Sequence, residues 1–358
     1  MAISLSHGGG DTVYTADSLS DEVLVGTTNG IDFIKRTGAG WSVTGHVLEG
    51  KHVHALLFEP GSGLWFAGIR KGGVMVSEDG GRTWESRDVG ITVRNIYTLS
   101  QATIKGKKRL FCGTEPSALF ISDDLGLTWT EIPALKDVPS HETWTFPGPP
   151  HESHLKHISF AHDDPTKMYG SIEQGALLKS LDGGETWQDF TNMYVDVHRC
   201  IVDPRDSEHI YVTGGQGLWI SKNGGADWDN RFNRRSEEGG YPDQLVYKPS
   251  DPDYIVLSAG RKSPPAWKEG SSETRISRSR DGGMKWEILG GGLKDRFTYS
   301  VEAMCLEEAG DNCQILAATT GGDVLFSPDA GEHWETVVTG LAPVSKGGHF
   351  ENFAGLAK

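Results

Sequence analysis

The chain has 358 residues, with 34 Lys and Arg against 49 Asp and Glu, a formal net charge of −15. That acidic balance argues against nucleic-acid binding, because phosphate contacts require a basic face. No run approaches the roughly 18 apolar residues of a membrane span, and the start, Met1-Ala2-Ile3-Ser4-Leu5-Ser6-His7-Gly8, lacks the basic and apolar regions of a secretory signal. The expected compartment is cytoplasmic, with no membrane partner. Cys112, Cys200, Cys305 and Cys313 have no CxxC spacing and are expected to stay reduced.

In chain order, residues 1–12 read as a loose tail. Gly8-Gly9-Gly10 is followed by no strand-to-helix context and is not a phosphate loop. Residues 22–26 and 31–34 read as later strands of a split unit that ends in a decayed turn at Gly40-Trp41. From residue 77 a motif recurs: Ser77-Glu78-Asp79-Gly80-Gly81-Arg82-Thr83-Trp84. It returns at 122–129, 180–187, 221–228 (with Asn223 for Asp), 279–286 and 327–334, with starts 45, 58, 41, 58 and 48 residues apart. The motif predicts a tight turn between strands. The short Asp or Asn accepts hydrogen bonds from turn N–H groups, Gly supplies positive φ, and Trp packs its ring on the sheet. These Asp residues are read as scaffold.

Upstream of the boxes lie strand–turn–strand pairs, such as Cys200-Ile201-Val202-Asp203-Pro204 followed by His209-Ile210-Tyr211-Val212. Each unit is thus four antiparallel strands in about 42 residues, the period of a propeller blade. The expectation is an all-β fold: a seven-bladed β-propeller of four-stranded antiparallel blades, forming one domain over residues 13–358. Strands from both termini close the ring, with residues 349–353 completing the split blade. Both 58-residue spacings hold insertions, at 133–154 and 261–275. These are rich in Pro and Trp and are candidate lids or partner loops.

Ligands of a propeller are expected at the starts of the inner strands, in the mouth of the central channel. The candidates there are His52, His54, Arg94, Asn95, His154, Lys156, His157, His198, Arg199, Asp243, Gln244, Tyr299, Glu302, His349 and Glu351. The ends of the next strands add Arg70, Glu115, Glu173 and Gln216. The concentration of His predicts a divalent transition metal (Zn, Mn, Fe or Cu) held by His54, His154, His157, His198 and His349, since neutral imidazoles suit these ions. Glu115, Glu173 and Arg70 are the candidate catalytic residues.

The boxes resemble the Asp-box, or BNR, repeat of sialidase- and sortilin-like propellers. Gly113-Thr114-Glu115-Pro116-Ser117, Trp144-Thr145-Phe146-Pro147, His154-Leu155-Lys156 and Ile172-Glu173-Gln174-Gly175 resemble stand-alone bacterial propellers labelled exo-α-sialidase-like. The chain lacks the Phe/Tyr-Arg-Ile-Pro segment of true sialidases, so it is not read as one. The xyloglucan-cleaving Asp-box enzymes and the photosystem II assembly propeller are also similar, the former with two propellers in tandem. The expected function is a metal-dependent hydrolase or lyase acting on a small polar or aromatic molecule. The alternatives are a non-catalytic scaffold or ligand-binding module and, third, a glycoside hydrolase.

Overall fold

The computed structural model describes residues 3–267 and 270–345. Among these the strands form seven sheets, six of four strands and one of five, antiparallel apart from two short N-terminal strands that add in parallel, with only three short 3-10 segments besides. The fold is an all-β, seven-bladed β-propeller of four-stranded blades. Contacts divide the chain into two compact units. One comprises residues 1–7, 11–53 and 231–358; the other comprises 8–10 and 54–230.

In the first unit the split blade holds strands Ile3–Leu5, Glu22–Thr27, Gly30–Thr37 and Gly40–Val47. The loose tail expected at 1–12 is therefore corrected. Ile3–Leu5 pairs in parallel with residues 23–25, and Ile3 and Leu5 are 0% and 1% exposed. Three residues are too few for an alternating pattern to register in the sequence. This short strand occupies the place expected of residues 349–353, which lie outside the described residues. A second N-terminal strand, Val13–Thr15, adds in parallel to Val301–Ala309, so the two ends of the chain share a sheet.

Each core is a sandwich between consecutive blades. Ile3, Leu5, Val23 and Val25 pack with Ala303, Leu316, Ala318 and Phe326. The blade starting at Tyr241–Lys248 packs on that of Val301–Ala309 through Val246, Val256, Met304 and Ile315. In the second unit the blades begin with Val53–Glu59, Ile96–Ile104, His154–Phe160 and Val197–Asp203. Their interfaces are filled by groups such as Leu57, Phe66, Leu99 and Phe120, then Phe111, Leu155 and Leu178, then Tyr169, Leu177 and Val212. Gly8–Gly10 belongs here. Its N–H groups reach His54 O and Leu99 O at 2.7 and 2.9 Å. A Cβ on Gly10 would lie 1.9 Å from Leu56 O, at φ +75°, so the triplet is needed for close backbone approach.

The boxes are turn scaffolds. In all six, the Ser hydroxyl accepts the Gly N–H four residues on at 2.8–2.9 Å. Asp79 accepts Thr83 N–H at 2.8 Å and Arg82 N–H at 2.9 Å. The Thr83 N–H, followed by the Thr83 and Ser77 hydroxyls, holds the Asp79 carboxyl down to about 2. A carboxylate held below its unfolded value of about 3.9 contributes in full above that pH. Acid should therefore loosen this turn only as pH falls from about 4 toward about 2.

The insertions are packed rather than loose. Pro133–Asp137 and His141–Thr143 are 3-10 turns, with Leu135, Val138 and Phe146 buried. Trp267 in the other is fully buried, edge-on to Tyr241 at 5.5 Å. All four cysteines are free and buried.

Two outcomes follow from this packing. Leu5→Ala should cost about 2–5 kcal/mol in urea unfolding, and an unchanged midpoint would mean that the N-terminal strand contributes nothing. Asp182→Ala, which removes the acceptor of Thr186 N–H and Ser180 Oγ, should cost about 1–3 kcal/mol. Any activity measured below the melting temperature should be retained.

Candidate functional site

The site grows from an irregularity shared by the first strands. Register shifts just after the strand start fall between Ile96 and Thr98, Leu155 and His157, and Val197 and Arg199. The residues at these bulges are Tyr97, Lys156 and His198. A bulge places two residues opposite one and re-aims a side chain, a device common beside active sites. All three side chains are buried, and Lys156 and His198 are 2% and 0% exposed.

Glu173, the last residue of Met168–Glu173, is the hub. Its Oε2 lies 3.0 Å from His154 Nε2 and 3.1 Å from Lys156 Nζ. Its Oε1 lies 3.8 Å from His198 Nε2, which is also 3.5 Å from Asp196 Oδ1. His154 Nδ1 faces Glu115 Oε2 at 3.3 Å, and Asn95 Nδ2 donates to Glu115 Oε1 at 2.9 Å. The His154 ring stacks on Tyr97 at 3.9 Å between centroids and meets Phe146 of the insertion at 5.0 Å. The insertion is tied down by two backbone hydrogen bonds between Thr145 and Gln174, of 3.0 and 2.9 Å. Gly215 makes room for Asp196: its N–H reaches Asp196 O at 2.9 Å, and a Cβ would lie 1.9 Å from Asp196 Oδ2.

Of the expected residues, Asn95, Glu115, His154, Lys156, Glu173 and His198 come together. His54 is buried one blade away, with Nδ1 on Ile96 O at 2.8 Å and its ring 4.9 Å from Tyr97. His157 follows the bulge and is 9% exposed. Arg70 is half-buried just beyond Leu64–Ile69. His349 lies outside the described residues. Among the described residues of this unit, the set with metal-ligand spacing is therefore not the expected group of imidazoles but Glu173, Asp196 and His198, whose ligand atoms all lie within 4.8 Å of one another. The bulges turn individual side chains, so neighbours in sequence do not become neighbours in space. Asp196, just before the strand Val197–Asp203, was not among the candidates. Tyr97 carried no sequence signal beyond its size, and Phe146 stood out only within the segment Trp144-Thr145-Phe146-Pro147.

Residues 175–315 match the family Sortilin-Vps10, described as "Sortilin, neurotensin receptor 3". None of the curated proteins matches the chain. Among solved structures, an ancestral GH74 enzyme superposes with a TM-score of 0.62 at 15% identity, covering 80% of this chain. This chain spans only 38% of that enzyme's length. YCF48 from Cyanidioschyzon merolae has a TM-score of 0.53 at 13% identity, covering 81% of this chain and 87% of its own. YCF48 bound to D1 peptide has 0.51 at 18%, covering 77% of each. At these identities the likeness is one of fold.

The hub makes an energetic prediction. Lys156→Met should cost about 3–5 kcal/mol, because it strips a partner from a buried carboxylate. Adding Glu173→Gln should recover part of that loss, and a double variant no more stable than the single would refute this role for the pair. In repeat, blade and matched segment, the chain resembles the sialidase/sortilin-like Asp-box propellers.

Proposed function

We propose that the protein is a metal-dependent hydrolase or lyase acting on a small polar or aromatic molecule, with Glu173, Asp196 and His198 holding the divalent cation. Spacing carries the reading. Asp196 Oδ1 and Glu173 Oε1 lie 3.5 and 3.8 Å from His198 Nε2. Corners of a tetrahedron about 2.1 Å from a metal are about 3.4 Å apart. One imidazole and two carboxylates leave positions open for water and substrate, and suit Zn, Mn or Fe. Such an ion would bring the pKa of a bound water to about 7 and polarise a substrate oxygen.

The remaining groups have separate tasks in this reading. His154, between Glu115 and Glu173, would pass a proton to the leaving group, and Glu115 would orient its ring. Tyr97 and Phe146, against the same ring, would supply apolar walls for the substrate. The third reading, a glycosidase, fits less well. Its two carboxylates must flank a scissile bond, whereas Glu115 and Glu173 flank an imidazole.

A non-catalytic binding module remains the second reading. It is favoured by the ion pair of Lys156 with Glu173 at 3.1 Å, which satisfies one carboxylate oxygen without a metal. The YCF48 likeness fits it too, since one such propeller is bound to a peptide.

Metal content by mass spectrometry, on protein purified without a His tag, separates the two. The enzyme reading expects His198→Ala and Asp196→Asn each to hold about one equivalent less than wild type while remaining folded. Occupancy should also fall with falling pH, as protons compete for the ligands. Equal metal content in wild type and both folded variants, after loading with Zn, Mn, Fe or Cu, would leave the binding module.

A further inference from the structure

The other unit contains a second cluster of the same chemistry, built from three distant segments. His7 follows the N-terminal strand Ile3–Leu5. Asp243 lies in the strand Tyr241–Lys248, within the register shift between Pro242 and Leu245. Glu302 lies at the shift between Val301 and Ala303. All three are at most 1% exposed, and one ligand atom from each falls within 4.8 Å of the others. Buried charges are paired or coordinate metals, and two carboxylates with one imidazole are a common ligand set for a divalent ion.

The spacing also indicates the kind of ion. His7 Nε2 and Glu302 Oε1 are 4.0 Å apart, beyond hydrogen-bond reach. Ligands about 2.1 Å from a metal span about 3.4 Å at tetrahedral angles and about 4.2 Å when opposite. The gap thus suits the wider angles of an ion with more than four ligands. An oxygen-rich donor set with one imidazole suits Mn²⁺ better than soft metals.

We propose that His7, Asp243 and Glu302 form a second divalent-cation site, selective for an ion of the Mn²⁺ kind, that ties the N-terminal segment to two blades of its unit. The first residues of the chain are in this view a ligand-bearing arm. Its residues are disjoint from those of the hydrolase or lyase reading, so either can fail alone.

The test is titration of the full chain with Mn²⁺ alone, counting bound ion by electron paramagnetic resonance and following thermal unfolding. It is run on wild type, Asp196→Asn, His7→Ala and Glu302→Gln. In Asp196→Asn, one Mn²⁺ equivalent should remain, and Mn²⁺ should still raise the melting temperature. His7→Ala and Glu302→Gln should weaken that equivalent at least about ten-fold. His7 lies outside the strands, so its variant keeps the test alive if Glu302→Gln does not fold. Loss of all Mn²⁺ binding in Asp196→Asn, or binding in His7→Ala equal to wild type, would overturn the second site. A result in which only Asp196→Asn leaves Mn²⁺ binding unchanged would support the second site and show that the first does not take Mn²⁺.

Discussion

A four-stranded sheet with apolar residues on both faces cannot stand alone in water, and the rest of this structure depends on covering those faces. The solution is repetition. Within each unit one blade's face is sealed by the next, as Leu57 and Phe66 are by Leu99 and Phe120, or Val246 and Val256 by Met304 and Ile315. Fully burying one such side chain is worth about 1.5–3 kcal/mol, so the layers dominate stability. Many of the polar groups gather where the layers stop, at the box turns between the outer strands and at the first residues of the innermost strand.

At those first residues the strands do not run straight. Bulges at Tyr97, Lys156, His198 and Glu302, and the longer shift around Asp243 and Gln244, recur in both units. A regular ladder would alternate these side chains between the apolar faces. The extra residue instead frees one side chain from the sandwich and turns it toward its counterparts on adjacent blades. The same device explains how one scaffold carries an aromatic ring in one blade, an ammonium in the next and an imidazole in the third.

The electrostatics follow from this geometry. Glu173 is buried, and burying a charge is costly unless it is paired. Its Oε2 is paired by His154 and Lys156 while its Oε1 turns toward His198 and Asp196. One carboxylate thus serves a structural ion pair on one oxygen and faces the ligand cluster with the other. Glu115, by contrast, is fixed by Asn95 and reaches only the far nitrogen of His154.

The sequence by itself determined the repeat, the turn chemistry and the number of blades. Box hydrogen bonds such as Asp79 to Thr83 N–H join residues four apart, so local spacing encodes them completely. It also marked Glu115 and Glu173, which occupy matching places at the ends of second strands, and His154 and His198, which lie at the starts of first strands. What spacing alone does not contain is convergence. His7 lies 236 residues before Asp243 and reads as part of a tail until Ile3 and Leu5 are seen buried against Val23 and Val25. Asp196 fits beside His198 because Gly215, just after the neighbouring strand Asp206–Gly214, leaves room for its carboxylate. His54, equal in sequence rank to His198, is instead held by the Ile96 carbonyl. Tertiary structure decided these points, because strand pairing, a missing Cβ and a neighbouring carbonyl set the direction of a side chain, and the Gly215 that makes room for Asp196 and the Ile96 carbonyl that holds His54 lie outside the segments they act on.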